Sequence, residues 1–159
     1  MTKLIRIIPD NCTGCYLCEQ ACSFHHTDEC RPSATRVTVV AWGHVGLSTP
    51  LLCLQCDDAP CARVCPEGAI KKIANGVMVI DNVKCIKCKI CMIACPFGNI
   101  KYDDVTSTMI KCDQCGGDPE CVKICPSGAL IYEDAGSANM IIQQKYATQL
   151  RTDSGEASE

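Results

Sequence analysis

The hydrophobic positions of this chain come in short bursts, each ended by a turn signal before a long core element can form. Lys3 to Ile8 is an apolar-rich run closed by Pro9-Asp10-Asn11, which predicts a strand. Helical spacing follows from Cys12, and with Ser23 rather than proline after Cys22 a helix can continue toward His26. Arg31-Pro32-Ser33 breaks the chain. The β-branched stretch Val37 to Val40, a turn from Gly43 to Gly46 and Leu47 to Leu52 then read as a strand, turn and partner strand. Further on, Ile70 to Ile73 and Val77 to Ile80 flank Asn75-Gly76, the strongest short hairpin signal. From Ser137 the pattern changes to one amphipathic helix carrying Met140, Ile141, Ile142, Tyr146 and Leu150, and Arg151 to Glu159 read as a frayed polar tail. That helix offers no ligands. Its expected role is to pack back on the body, with docking on another subunit as the alternative.

Cysteine fills the spaces between these bursts. Cys85 to Pro96 has the spacing C-x2-C-x2-C-x3-C-P, the bacterial run that wraps a 4Fe–4S cluster, with its fourth thiolate better placed to hold a neighbouring cluster. The chain contains four versions. Cys12, Cys15, Cys18 and Cys22 keep the same gaps; Cys53, Cys56, Cys61 and Cys65 widen the middle gap around Asp57-Asp58-Ala59-Pro60. Cys112, Cys115, Cys121 and Cys125 widen it around Gly116-Gly117-Asp118-Pro119. A widened loop still delivers three thiolates, and Cys61/Cys65 and Cys121/Cys125 keep the i, i+4 spacing of one helical face. Pro66-Glu67-Gly68, Pro96-Phe97-Gly98 and Pro126-Ser127-Gly128 come after three of the runs in register, so the runs are an internal repeat, each expected to lead into a hairpin.

Composition decides what the thiols do. Seventeen cysteines in 159 residues, with 4% aromatic side chains, mean a disulfide scaffold or metal. The N-terminal apolar run is too short for a signal peptide and has neither a small-residue cleavage site nor twin arginine, so the expectation is a cytoplasmic chain with reduced thiols. No apolar segment reaches the length of about 20 residues that crosses a bilayer. Structural zinc would require paired knuckles separated by a longer spacer, which these compact runs lack. The formal charge is −3, and four oxidised clusters with their thiolates would take it to about −11. That balance disfavours nucleic acid and suits a partner with a basic face. Dinucleotide loops, P-loops and C-x-x-C-H haem sites are absent from the sequence. Cys30 is left over as a spare thiol; His25 and His26 read as solvated or capping, and Trp42 and Phe24 as small-core packing.

All four runs resemble those of bacterial ferredoxins, and four in one chain is similar to the iron–sulfur subunits of the dimethyl sulfoxide reductase and formate dehydrogenase type. The resemblance covers residues 1 to about 135. The stretch Cys12 to Cys30, with Cys22-Ser23-Phe24-His25-His26, looks closest to the small subunits of tungsten aldehyde oxidoreductase and benzoyl-CoA reductase complexes. In a two-cluster ferredoxin each run gives three ligands to its own cluster and one to its partner's, and the gap from Cys65 to Cys85 looks like the gap inside such a unit. The resemblance therefore implies four nested ligand sets: Cys53, Cys56, Cys61 with Cys95; Cys85, Cys88, Cys91 with Cys65; Cys12, Cys15, Cys18 with Cys125; and Cys112, Cys115, Cys121 with Cys22. Sequential pairing is the rival order.

The fold implied is α+β: an outer two-cluster module from residues 1–50 and 101–136, an inner one from 51–100, and the helix and tail of 137–159. The function implied is a non-catalytic electron-transfer subunit with four 4Fe–4S clusters. It would serve a tungsten- or molybdenum-containing, aldehyde-oxidising subunit and a flavin- or NAD-linked or other redox partner, with self-association through the C-terminal helix as a further option. The alternative is a free polyferredoxin. Lys84, Lys87 and Lys89 beside one run, and Asp113, Asp118 and Glu120 beside another, predict a higher potential for the cluster on Cys85/Cys88/Cys91 than for that on Cys112/Cys115/Cys121.

Overall fold

The computed structural model describes residues 3–153, with side chains described through residue 149. Its regular elements are short: β1 (Lys3–Ile7), α1 (Leu17–Thr27), β2 (Val37–Trp42), β3 (Leu47–Leu52), α2 (Pro60–Arg63), β4 (Ile70–Lys72), β5 (Met78–Ile80) and α3 (Ile90–Ala94). Then come β6 (Ile100–Asp103), β7 (Thr108–Lys111), α4 (Glu120–Lys123), β8 (Leu130–Asp134) and α5 (Ala135–Asp153). This is a small α+β chain of hairpins with a C-terminal helix.

The strands form four separate antiparallel ribbons, β1 with β8 and the hairpins β2–β3, β4–β5 and β6–β7. In β2–β3 the pairing of Val37 with Leu52 and Val39 with Pro50 turns one apolar face inward. Two of the three P-x-G repeats lead into hairpins as expected. The third does not: Leu130 to Asp134 has no following turn and return strand, and it pairs instead with β1, Ile5 opposite Tyr132. Ion pairing of Arg6 with Glu133 supports that ribbon, which ties the two ends of the body together.

Apolar packing gathers in two small cores. One joins Ile5, Val37, Leu52 and Leu130 with Cys18, Cys22, Cys112 and Cys121; the other joins Ile70, Met78, Ile100 and Met109 with Cys61 and Cys91. Cysteine sulfur is thus part of each interior. Trp42 and Phe24 are not: both are exposed, because Trp42 sits at the outer end of its hairpin and Phe24 on the outward side of α1. The C-terminal helix also departs from expectation. It starts at Ala135 and packs mainly on β1 and β8 near its origin. Ala138 is its one buried residue among those with described side chains, while Met140, Ile141, Ile142 and Tyr146 are exposed. Further along, Lys145 pairs with Asp10. Residues 154–159 of the expected tail lie outside the described residues. Among the described residues, no helix is long and apolar enough to cross a membrane.

Candidate metal centres

The cysteine runs share one local construction. The residue before the second cysteine is left-handed in all four: Gly14, Gln55, Lys87 and Gln114 have φ of 68°, 54°, 59° and 53°. That kink folds each C-x-x-C into a tight loop instead of a strand. The third cysteine of each run lies in a helix, Cys18 in α1, Cys61 in α2, Cys91 in α3 and Cys121 in α4. The conformation of the fourth cysteine is set by the residue after it. Proline disfavours the helical region for the residue before it, so α2, α3 and α4 stop at Arg63, Ala94 and Lys123, and Cys95 is extended at φ −80°, ψ 111°. Cys65 and Cys125 therefore lie past their helices and not on one continuous helical face with Cys61 and Cys121. Cys22, with Ser23 after it, stays inside α1.

After the proline, Gly68, Gly98 and Gly128 are left-handed, at φ 56°, 64° and 66°. Their amides turn back to the carbonyls of Cys65, Cys95 and Cys125. The turn aims further amides at sulfur: Ala69 N–H donates to Cys65 Sγ over 3.3 Å. Arg36 N–H does the same for Cys22 Sγ, also over 3.3 Å.

These loops converge on cavities. One is walled by Cys12, Cys15, Cys18 and Cys125. A second is walled by Cys53, Cys56, Cys61 and Cys95, and a third by Cys65, Cys85, Cys88 and Cys91. In each, three thiols come from one run and one from another. The remaining four are coupled: after its burial, Cys112, Cys22 and Cys115 are the groups that most oppose ionisation of the Cys121 thiol, and Cys22, Cys112 and Cys121 share one core. Across sets, Cys121 also feels Cys18, Cys112 feels Cys53, and Cys91 feels Cys61. Cys30 stands apart on an exposed loop.

The donor chemistry fits soft metal. Burial pushes the Cys18 and Cys112 thiols up to about 12 and Cys91 to about 11, and raises Cys61, Cys115 and Cys121 as well. Thiols held together and kept from water stay protonated unless a cation stabilises the thiolates. Two are exceptions. Burial opposes ionisation of Cys22, but bonding to the His26 ring and the Arg36 amide brings it below its usual value. At Cys125 burial is likewise outweighed, by amides of the P-x-G turn and the Ser127 hydroxyl.

His26 is thus neither solvated nor a simple cap. Its ring lies 2.7 Å from the Cys22 carbonyl and 3.2 Å from Asp113, and Arg36 also pairs with Asp113. Burial works against its protonation, but Asp113 and Cys22 raise it to about 9. Asp113 is held well below the carboxylate range by His26 and Arg36, against its burial. Asp118 and Glu120 pair with Lys123. The carboxylates beside the fourth run are therefore largely neutralised, and Lys84, Lys87 and Lys89 are exposed to solvent, so the charge contrast expected between those two clusters is reduced.

Sequence reasoning missed three residues here. Lys111 is 3% exposed, and its ammonium donates to the carbonyls of Met78 and Cys112 while lining the Cys53/Cys56/Cys61/Cys95 cavity. Gln55 bridges the same two residues, donating to Cys112 O over 2.8 Å and accepting from Met78 N–H over 2.8 Å. Gln114, at the matching position of the fourth run, reaches the Lys3 carbonyl. The available signal was the repeat itself, because Gln55 and Gln114 are the same residue at the same place in two runs.

Residues 45–135 match the family model for the 4Fe-4S dicluster domain, and residues 5–25 match that for a 4Fe-4S binding domain. A polyferredoxin-like subunit of aliphatic sulfonate oxidoreductase from Pyrococcus furiosus is 38% identical, over 73% of this chain and 67% of its own length. The putative electron transport protein YsaA of Escherichia coli is 37% identical, over 72% of this chain and 77% of its own. In the solved BamBC active site complex of benzoyl coenzyme A reductase with benzoyl-CoA, one chain aligns over 98% of both partners, with 25% identity and a TM-score of 0.50.

Proposed function

We propose that this chain, which belongs to the 4Fe-4S dicluster domain family, is the electron-transfer subunit of a larger oxidoreductase and holds four 4Fe–4S clusters in series. The ligand sets are Cys12, Cys15, Cys18 with Cys125; Cys22 with Cys112, Cys115, Cys121; Cys53, Cys56, Cys61 with Cys95; and Cys65 with Cys85, Cys88, Cys91. The observation that carries this reading is the composition of three cavities, each walled by three thiols of one run and one of another, with Cys22, Cys112 and Cys121 of the fourth set packed in one core. Bound there, the clusters would supply one-electron chemistry. The chain's own task is to fix their spacing, to donate amides to sulfur and to keep water out.

The sharing of one core by Cys18, Cys22, Cys112 and Cys121, with Cys53 packed against it, and of another by Cys61 and Cys91, supports one linear order, as does the like-charge influence between sets. The Cys12 set neighbours the Cys22 set, which neighbours the Cys53 set, which neighbours the Cys65 set. Residues 1–50 with 101–136 would then be an outer two-cluster module and 51–100 an inner one. Exposed Cys15 and Cys88 fall in the first and last sets, so the line would open to partners at both ends.

On the resemblance of Cys12 to Cys30, the catalytic partner is a tungsten- or molybdenum-containing, aldehyde-oxidising subunit, and the other terminus a flavin- or NAD-linked one. The reduced thiols fit a cytoplasmic setting. The exposed apolar side chains of α5 support docking on another subunit or a second copy. Anaerobic purification with metal analysis tests the whole reading. About sixteen irons and as many sulfides per chain, with a tungsten- or molybdenum-bearing protein co-eluting, is the expected result. Fewer than about eight irons would overturn the four-cluster reading. A fully loaded chain that elutes alone would make it a free polyferredoxin.

A further inference from the structure

The two exposed ligand cysteines sit in different surroundings. Cys15 is flanked by Thr13, Tyr16 and Leu17, none of them charged. Cys88 lies among three exposed lysines, Lys84, Lys87 and Lys89, interleaved with exposed Val83, Ile86 and Ile90. Ile86, Ile90 and Lys89 wall the Cys65/Cys85/Cys88/Cys91 cavity, and Glu67 is the one carboxylate among its lining residues. Asp81, the nearest acid in sequence, is already engaged by Lys71 and by the amides of Val83 and Lys84. Lys89 lies 3.8 Å over the Tyr102 ring. Lys84 and Lys87 form no ion pair among the described residues.

On a chain of net charge −3, about −11 with four oxidised clusters, this cationic island is a local exception to an acidic surface that otherwise suits a basic partner. Uncovered branched aliphatic side chains beside it favour a protein face over a nucleic acid, for which stacking rings would serve better. We propose that this mouth is the docking face for an acidic electron-carrier protein, one that presents carboxylates around an apolar centre close to its own redox group. The inference rests on the electron-transfer reading above and adds the partner's chemistry. One electron passes per encounter: the carrier is oxidised by one equivalent, the chain is reduced by one, no bond breaks and no proton moves. Electrostatic attraction would raise the encounter rate while the apolar centre seats the complex.

The test tracks reduction of the iron-replete chain by stopped flow with two one-electron donors of opposite charge. These are a reduced plant-type 2Fe–2S ferredoxin, which is acidic, and the methyl viologen radical cation. With the ferredoxin at low salt, Lys84→Glu should be slower than wild type by about threefold or more. The gap should close as salt approaches about 0.5 M. The viologen reaction should not slow. Lys84→Gln, which removes the charge without reversing it, should give a smaller loss in the same direction, so the outcome does not depend on one variant assembling. Equal ferredoxin rates for iron-replete wild type and variants at low salt would overturn the docking face and leave the electron-transfer reading intact. A wild-type chain that neither donor reduces would overturn both. Variant-sensitive binding to a single-stranded oligonucleotide, with ferredoxin kinetics unchanged, would reassign the island to nucleic acid.

Discussion

Lys111 gives the sharpest quantitative test of the interior. Its ammonium is buried with two carbonyl oxygens for partners and no carboxylate ion pair among the described residues, and it shares a cavity wall with Cys53, Cys56, Cys61 and Cys95. Its charge favours the Cys61 thiolate, against that thiol's burial. On the proposed ligand assignment, the negative charge that balances Lys111 is the Cys53/Cys56/Cys61/Cys95 set, and adding an electron there would be easier while the lysine is present. Lys111→Met removes the charge and keeps most of the volume. At an effective dielectric of about 20 and a separation of ~8 Å, one unit charge is worth about 2 kcal/mol to one added electron. That is a fall of about 90 mV in potential. The fold should survive: Cys112 O keeps its bond from Gln55, and the carbonyl of Met78 loses one donor, at a cost of roughly 1–3 kcal/mol. An anaerobic redox titration monitored by electron paramagnetic resonance should find one component lowered by about that amount, the others moved far less, and Lys111→Arg close to wild type. Four unchanged potentials in iron-replete K111M, or an upward shift, would refute the charge argument.

The other expectations concern ligands, stability and assembly. Cys95→Ser should perturb the cluster on Cys53, Cys56 and Cys61 and leave a four-cysteine set around Cys85, Cys88 and Cys91, whereas Cys30→Ser should leave the iron count unchanged; metal analysis with site-assigned spectra checks both. Arg31→Ala strands the Asp103 carboxylate, which Arg31 holds through bonds of 2.9 and 3.2 Å, and should lower the urea midpoint. Arg31 and Thr106 bring the Asp103 carboxyl down to about 2, so the pair's stabilisation is present above the ordinary value of 3.8 and is lost only as pH falls through about 2. The Arg31→Ala deficit should accordingly stay flat between about pH 5 and 8, and a deficit that shrinks over that range would contradict the assignment. Removing residues 137–150 takes away the exposed Met140, Ile141, Ile142 and Tyr146 and should lower the assembly state in sedimentation without changing iron content.

Much of the site was legible because it is written in a local code. Gap lengths place three sulfurs within one loop, and a proline after the fourth cysteine ends the helix, so reading spacing was close to reading geometry. The hairpins after Pro66 and Pro96 were legible for the same reason, each being closed by a short turn between apolar runs. Non-local pairings left weaker traces. Nothing around Leu130 announces that its partner is Ile7, at the other end of the body. The burial of Lys111 was hidden because the chain on both sides of it is ordinary strand and ligand, and a lysine read alone belongs in water. Charge was misjudged where it was counted along the chain. Asp113 looked like free negative charge beside Cys112 until Arg36 and His26, from a distant segment, were found on it.

The same shortness of range bears on how the chain folds at all. Two-stranded ribbons are marginal in water, and single-turn helices such as α2 and α4 do not persist alone. The apolar cores are small, and each includes thiols that burial keeps from ionising. Such an interior gathers thiols at a cost unless a cation converts them to stabilised thiolates, so ligand binding supplies free energy that the side chains do not. Each cavity draws its fourth thiol from another run, Cys95 closing on Cys53, Cys56 and Cys61, and Cys125 on Cys12, Cys15 and Cys18. Loading one site therefore fastens two segments of chain. Cluster assembly and tertiary structure should then be lost together: chelating iron from the native protein ought to abolish amide protection in all four ribbons, and a chain that kept protected ribbons after losing its iron would mean the hairpins stand without metal.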